Sequence, residues 1–267
     1  MEEAKMGEKY REILAAFYRE KGLLVDEFCC GKQKECEEVA GQRALSHGAE
    51  AHVGSQYGNP FRVVVISLDR GDGSSNIESR SECIEGLIDA TRLNPHMKGT
   101  KRLLEATFGD LMTINNIFAH FAMTNSAKCC GADESMDSVP AGIYYNCAKF
   151  SLDEVAALEA DLVITQGKNA FVAFESKDND VTVSKVPEEK MLNILEIFSV
   201  DNSVAIKLFK DMVDKYIRII QWENHQSVLV ITPHPSSRAG LWQNFEGVLL
   251  DPVMAIARFL AVSSQTQ

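Results

Sequence analysis

Phe61-Arg-Val-Val-Val-Ile-Ser-Leu68 is the stretch that decides the fold, and Asp69-Arg-Gly-Asp-Gly73 follows it directly. A continuous run of apolar, largely β-branched residues that ends in turn residues predicts a strand buried on both faces, as in a parallel sheet. Ligands of such sheets bind at the carboxyl ends of the strands. We therefore expect functional residues at the end of this strand and in the loop that follows.

Three further apolar runs have the same form and alternate with helical patterns. They are Ile117–Thr124, Ala160–Thr165 and Ser227–Thr232. Helical patterns cover 8–19, 79–93, 99–108, 187–222 and 254–262. Strands separated by helices indicate an α/β protein with a parallel sheet and helices on both faces. We expect a three-layer α/β/α fold around a short four-stranded parallel sheet.

The domain organisation predicted from the sequence is simple. The chain of 267 residues, 45% of them hydrophobic, can bury one substantial core, so we expect a single domain over 1–267. A helix over 1–22 packs on this domain, and 187–222 is interpreted as a helical insertion. The segment 29–60 predicts a long loop, and Ser151-Leu-Asp-Glu154 has the form of a capping box that opens a helix.

Charge and hydropathy restrict the class of protein. No apolar run is long enough to span a membrane, and the N-terminal sequence lacks the basic-then-apolar order of a signal peptide. We expect a cytoplasmic protein with no membrane contact. The net charge of -11 opposes the usual footprint of a protein that coats nucleic acid. It is compatible with an enzyme that needs only a local positive groove around one nucleotide.

The seven cysteines are an odd number in a chain without a secretion signal. This argues against a disulfide framework. Metal binding, catalysis and ordinary core packing stay open at this point. Cys83 lies within a helical pattern and is interpreted as a core residue.

Polar motifs follow the predicted strands in a recognisable order. They are Ser67-Leu-Asp-Arg-Gly71, Thr124-Asn-Ser-Ala-Lys-Cys129, Cys147 followed by Leu162-Val-Ile-Thr-Gln-Gly-Lys-Asn-Ala170, and His234-Pro-Ser-Ser-Arg238. This order resembles the uracil-DNA glycosylase superfamily, whose first strand ends in a Gly-x-(Asp/Asn/Ala)-Pro-Gly type loop and whose last ends in His-Pro-Ser. The Asn-x-x-Lys-Cys segment and the later cysteine resemble its thermophile-type branch, which carries an iron–sulfur cluster. The resemblance runs from about Cys29 to Trp242.

The resemblance implies hydrolysis of the N-glycosidic bond of uracil, or of a related damaged base, in DNA. Asp69 matches the residue that orients the attacking water, and Asn125 matches the residue whose amide reads a flipped pyrimidine. His234 matches the histidine that favours the anionic leaving base through a hydrogen bond. The implied partner is DNA with one flipped base, and we expect a monomer. DNA contacts are expected from Gly71, Gly73, Ser236, Ser237 and Arg238.

The resemblance also implies a cofactor. A 4Fe–4S cluster needs four thiolates, which the family takes from an N-terminal pair, one cysteine after the Asn-x-x-Lys segment and one before the third strand. The matching residues are Cys30, Cys36, Cys129 and Cys147, with Cys29 and Cys130 as alternatives. Zinc is the alternative metal, because a four-sulfur site accepts either.

Departures from the family pattern keep other interpretations open. The first loop has Ser67 and Arg70 where the family has glycine and proline, and no counterpart of the base-stacking Gly-x-Pro-Phe segment follows Gly73. One alternative is a member of the same fold without catalysis, or with another target, that binds nucleic acid or a protein. A hydrolase with Ser236 as nucleophile lacks the Gly-x-Ser-x-Gly elbow, and a dinucleotide-binding protein lacks Gly-x-Gly-x-x-Gly.

Overall fold

The computed structural model describes residues 4–41, 43–68, 75–87, 93–109, 116–131, 139–175, 181–237 and 240–264. The helices in these ranges are α1 Ala4–Lys21, α2 Gln33–Val39, α3 Ile77–Glu85, α4 Pro95–Phe108, α5 Ala141–Asn146, α6 Ala148–Ala157, α7 Lys168–Glu175, α8 Glu188–Ile197, α9 Ser203–Tyr216, α10 Leu241–Val248 and α11 Leu250–Ser263. The strands are β1 Leu45–His47, β2 His52–Val53, β3 Val63–Ser67, β4 Phe121–Asn125, β5 Cys129–Gly131, β6 Leu162–Gln166, β7 Thr182–Ser184, β8 Ile217–Gln221 and β9 Gln226–Thr232. A short 3-10 helix, Ile117–Ala119, precedes β4. None of the helices in the described ranges has the length and apolar character to cross a membrane.

The central sheet has seven strands in the order β2-β4-β3-β6-β9-β8-β7. Its middle four strands, β4, β3, β6 and β9, are mutually parallel and are the four strands predicted from the sequence. The flanking strands β2, β8 and β7 pair antiparallel, so the sheet is larger and more mixed than predicted. A separate two-stranded ladder joins β1 to β5.

Strand β3 lies inside the sheet and is buried on both faces. Val63 and Val65 pack into one hydrophobic cluster, with residues of α4, α10 and α11. Val64 and Ile66 pack into the other, with residues of α1, α6 and α7. Because successive side chains of a strand point to opposite faces, a run without polar residues needs helices on both sides. The expected three-layer α/β/α fold is confirmed.

The helical insertion predicted over 187–222 is wrong at its end. Helices α8 and α9 occupy its first part, but 217–221 forms strand β8, paired antiparallel with β9. The segment Ile217-Arg-Ile-Ile is β-branched and places Ile217 and Ile219 in the core. Pairing with an already buried strand satisfies its backbone, which overrides the helical period of the preceding residues.

Three local predictions also need correction. The predicted long loop over 29–60 contains α2, β1 and β2. Helix α6 begins at Ala148, so Ser151 lies within it, and its hydroxyl donates to the Ser126 carbonyl at 3.3 Å instead of capping the helix. Cys83 is exposed on α3 and is not a core residue. In each case tertiary contacts decide the outcome, and the local sequence pattern does not record those contacts.

His52 on β2 is fully buried beside the ring of Phe121. Its Nε2 contacts the Phe118 carbonyl at 2.9 Å, while no hydrogen-bond partner meets its Nδ1 among the described residues. Burial lowers the pKa of His52 to about 3, against a hydrogen bond to Phe118 that raises it. The folded protein therefore holds this imidazole neutral at pH values where the unfolded chain protonates it.

We predict that stability falls as the pH is lowered from about 6.5 towards 3. In that window the unfolded chain binds a proton that folded His52 does not, which removes at most about 1.4 kcal/mol of unfolding free energy per pH unit. The variant His52→Gln should show a shallower slope, because glutamine does not titrate. Denaturant unfolding across this pH range measures both slopes, with the two proteins compared first at pH values above 7. Equal slopes for both proteins would contradict the prediction.

Candidate active site and metal centre

Four polar residues mark the carboxyl edge of the parallel strands. In sheet order these strands end at Asn125, Ser67, Gln166 and Thr232. Backbone hydrogen bonds continue just past the strand ends. Ser126 N donates to Ser67 O at 2.9 Å, and Gly167 N donates to Thr232 O at 2.8 Å. Asn125 and His234 flank this edge, and their strands lie about 14 Å apart at ordinary strand spacing. The edge thus carries polar groups across four strands.

His234 follows β9 and is half-buried against Gly167. Gly167 has φ +93°, and a Cβ at this position would lie 3.1 Å from the Cβ of His234, so only glycine fits here without strain. The Ser236 N–H donates to His234 Nδ1 at 3.2 Å. The neutral ring consequently carries its proton on Nε2, and burial lowers the pKa of His234, which favours this neutral form. His234 can present a neutral N–H donor.

His96 is a second histidine at this edge, and sequence reasoning missed it. Its ring stacks on His234 with centroids 5.4 Å apart and an interplanar angle of 4°. His96 Nε2 lies 2.6 Å from Gln166 Oε1 and 3.1 Å from Ser67 Oγ. Gln166 Nε2 donates to Thr100 Oγ1 at 2.8 Å, so its oxygen faces His96 and accepts the Nε2 proton. Burial lowers the pKa of His96 to about 4, against the Gln166 hydrogen bond that raises it. Both rings are therefore neutral near pH 7.

Helix α4 brings His96 to this position. Asn94 caps the helix by accepting from Met97 N, and Pro95 occupies the first turn. A Cβ on Gly99 would lie 2.3 Å from Pro235 Cβ, so glycine allows α4 to pack directly on the loop that carries His234. The Asn-Pro-His helix start is the signal in the sequence that could have indicated a side chain at the helix N-terminus.

Asn125 ends β4 and is 4% exposed. Its Oδ1 accepts from Arg80 Nη2 at 3.1 Å, and its Nδ2 donates to the Ala49 carbonyl at 3.4 Å. Arg80 of α3, itself buried, also donates to the carbonyls of Ala49 and Glu50. Sequence reasoning gave Arg80 no role, because an arginine inside a helical pattern is usually a surface residue.

The other predicted DNA-contact and catalytic residues divide into two groups. Asp69, Gly71, Gly73 and Arg238 lie outside the described residues. Ser236 is exposed and Ser237 half-buried, in the turn after His234, where Ser237 N donates to the His234 carbonyl at 2.9 Å. The turn therefore keeps the Ser236 hydroxyl on the surface beside the candidate site.

Four cysteines meet beside this edge at one small cavity of about 10 Å³. They are Cys30 before α2, Cys36 on α2, Cys129 on β5 and Cys147 between α5 and α6. The alternatives lie elsewhere. Cys29 is exposed, and Cys130 follows Cys129 on the other face of β5, where its Sγ contacts Ser46 Oγ at 3.3 Å and the His47 carbonyl at 3.4 Å.

The donor set at this cavity fits a soft metal. N–H groups point at two of the sulfurs, from Lys128 N to Cys147 Sγ and from Asn146 Nδ2 to Cys36 Sγ, both at 3.4 Å. Such bonds favour thiolates and tune sulfur ligands. A hydrogen bond from Cys129 lowers the pKa of Cys147, and the same bond raises that of Cys129.

The four thiols line the same cavity, but their side chains are not in a metal-ligating arrangement. Within the described ranges, no three His, Cys, Asp or Glu side chains are arranged to hold one ion. The cavity volume matches about one water-sized sphere, so a single ion requires small side-chain rotations and a cubane cluster requires the sulfurs to move apart. Four reduced cysteines packed as part of the core are the alternative, and metal content distinguishes the two.

A larger cavity of about 380 Å³ lies at the opposite, amino-terminal edge of the sheet. Trp222, Asn224 and His225, which belong to the connection between β8 and β9, contribute to its lining. It contains none of the predicted site residues. Its residues lie away from the predicted site and therefore provide controls for the carboxyl edge.

Comparisons with known proteins add no assignment, since the chain matches no family model and no curated protein.

We predict that Cys147→Ser loses bound metal and stability together. A serine hydroxyl is a poor ligand for soft metals, and metal binding to a cysteine site contributes directly to folding free energy. Iron, sulfide and zinc per chain, the visible spectrum and the melting temperature should be measured after anaerobic purification. The exposed Cys83→Ser is the matched control and should keep wild-type values. A Cys147→Ser protein with undiminished metal would show that the ligand set is wrong.

Proposed function

We propose that this protein is a DNA glycosylase that hydrolyses the N-glycosidic bond of uracil, or of a related damaged base, in DNA. The observation that supports it most is that two suitable groups lie at the same edge of the sheet. Asn125 offers an amide of fixed orientation, and His234 offers a neutral N–H donor. These are the groups that recognition of a pyrimidine and departure of its anion require.

The chemistry of the reaction suits these groups. Breaking the bond between base and deoxyribose leaves negative charge on the base and positive charge on the sugar, so stabilisation is mainly electrostatic. A neutral N–H donor strengthens its hydrogen bond as the base oxygen becomes negative, without first losing a proton to the solvent. Burial of His234 lowers its pKa and keeps it in this form at neutral pH. Asp69 is proposed to orient the attacking water.

The cysteine cluster is proposed to hold the cofactor. Cys30, Cys36, Cys129 and Cys147 would bind a 4Fe–4S cluster, with zinc as the alternative. Bound metal would tie the segment around α2 to β5 and to the start of α6, which otherwise touch through apolar contacts and the two N–H to sulfur hydrogen bonds. Its role in this proposal is structural, since it joins elements that lie next to Asn125.

The partner in this proposal is DNA with one base flipped into the site. An acidic chain can bind such a substrate through a local set of donors, because only the flipped nucleotide and its nearest phosphates are held. Gly71, Gly73, Ser236, Ser237 and Arg238 are proposed to contact those phosphates. A monomer acting on DNA in the cytoplasm completes the proposal.

We predict that Asn125→Ala and His234→Ala each lower excision of uracil by at least about 100-fold, the usual effect of removing a positioned catalytic donor. The assay uses a labelled oligonucleotide with one deoxyuridine, followed by alkaline cleavage of the abasic site. Asn224→Ala and His225→Ala, at the opposite edge of the sheet, are matched controls and should keep wild-type rates. Melting temperatures confirm that each variant folds.

Two results would contradict the proposal in different ways. Full activity in both site variants would show that Asn125 and His234 are not the active groups. Absence of excision by wild-type protein that contains its metal would favour the alternative from the sequence, a member of this fold that binds nucleic acid or a protein without cleaving uracil.

A further inference from the structure

Arg80 is a buried cation directly behind the Asn125 amide. It is 5% exposed and lies on α3, whose first residue, Ile77, donates its N–H to Glu50 Oε2 at 3.1 Å. Its guanidinium donates to the Ala49 and Glu50 carbonyls through Nη1 and to Asn125 Oδ1 through Nη2. Burying a guanidinium costs free energy unless it is hydrogen-bonded. These hydrogen bonds therefore restrict the position of the Arg80 side chain.

The contact with Arg80 decides which way the Asn125 amide faces. A guanidinium has only donors, so it can meet the amide oxygen but not the amide nitrogen. The contact of the amide nitrogen favours the same orientation. Asn125 Nδ2 donates to the Ala49 carbonyl at 3.4 Å, and a carbonyl only accepts. An asparagine without such neighbours can rotate by half a turn and exchange its oxygen and nitrogen. Here that rotation would oppose donor to donor and acceptor to acceptor.

We propose that Arg80 is a positioning residue that sets the hydrogen-bond polarity of the base site, an inference that rests on the proposed base excision. With the amide fixed, its second N–H faces a carbonyl oxygen of the base, and the second lone pair of Oδ1 accepts a ring N–H. The site then takes a base edge that carries an oxygen beside a ring N–H. It rejects the edge in which an exocyclic amino group lies beside a bare ring nitrogen.

The choice of substitution separates this role from simple support of the fold. Lysine, like arginine, only donates, so Arg80→Lys keeps the amide oxygen turned towards it. Glutamine both donates and accepts, so Arg80→Gln no longer fixes the amide from this side and leaves only the long 3.4 Å contact with the Ala49 carbonyl to orient Asn125. A purely structural role would weaken binding of every base to the same degree. The ratio of the affinities for uracil and cytosine therefore reports the orientation of the Asn125 amide. The absolute affinities report whether the site is intact.

The test measures binding of the full chain to oligonucleotides with one 2′-fluoro-deoxyuridine, one 2′-fluoro-deoxycytidine or neither. Fluorine at this position disfavours positive charge on the sugar, so binding is observed without cleavage. Wild-type protein should prefer the uracil oligonucleotide. Arg80→Gln should reduce the uracil-to-cytosine affinity ratio at least about tenfold, the usual cost of a mismatched buried hydrogen bond. Arg80→Lys should keep the ratio within about threefold of wild type, because its donor-only head still favours the oxygen of the Asn125 amide.

Each outcome decides one of the two proposals. A wild-type protein that binds all three oligonucleotides equally overturns the proposed function. A wild-type preference that survives unchanged in Arg80→Gln, or that is lost equally in the lysine and glutamine variants, overturns the role of Arg80 alone. Melting temperatures check folding, and Arg80→Met replaces the glutamine variant, with the same expectation, if that variant does not fold.

Discussion

The buried ion pair between Lys128 and Glu154 is the interaction on which the candidate site depends. Their side chains are 7% and 1% exposed, and Lys128 Nζ also bonds the backbone carbonyl of Asn125. Tyr18 of α1 donates to Glu154 Oε1 at 2.6 Å, which connects the N-terminal helix to the pair. Removing one partner of such a pair typically costs about 3–5 kcal/mol. Since Lys128 directly precedes Cys129, one ion pair holds both the Asn125 backbone and the cysteine cluster against α6.

Neutral polar groups, and not exposed charges, form the described part of the carboxyl edge. His96 and His234 stack in parallel, and two neutral rings can do this where two imidazolium ions would repel each other. The Gln166 amide and the Ser236 N–H assign each ring its tautomer. The edge therefore presents fixed donors and acceptors at neutral pH.

Much of this arrangement follows from the sequence, and the exceptions have a common cause. The four parallel strands were predicted because both faces of each are covered, which requires an apolar run that is visible in the chain. Asn125 and His234 were proposed as site residues because their motifs, at the ends of predicted strands, resemble those of a known superfamily. His96 lies between two predicted helices and Arg80 lies within one, and their partners are 70 and 45 residues away in sequence, at Gln166 and Asn125. Strand β8 was missed because its pairing with β9 overrides the local helical period.

The sequence by itself determined the three layers and the four parallel strands at the centre of the sheet. Local hydrophobic period and the position of turns carry that information, because each element must bury its own apolar face. Only the tertiary structure decided which thiols share a cavity, which ring nitrogen carries a proton and which atom of the Asn125 amide faces outward. These properties depend on hydrogen bonds between groups that are distant in the chain, and no local pattern records such bonds.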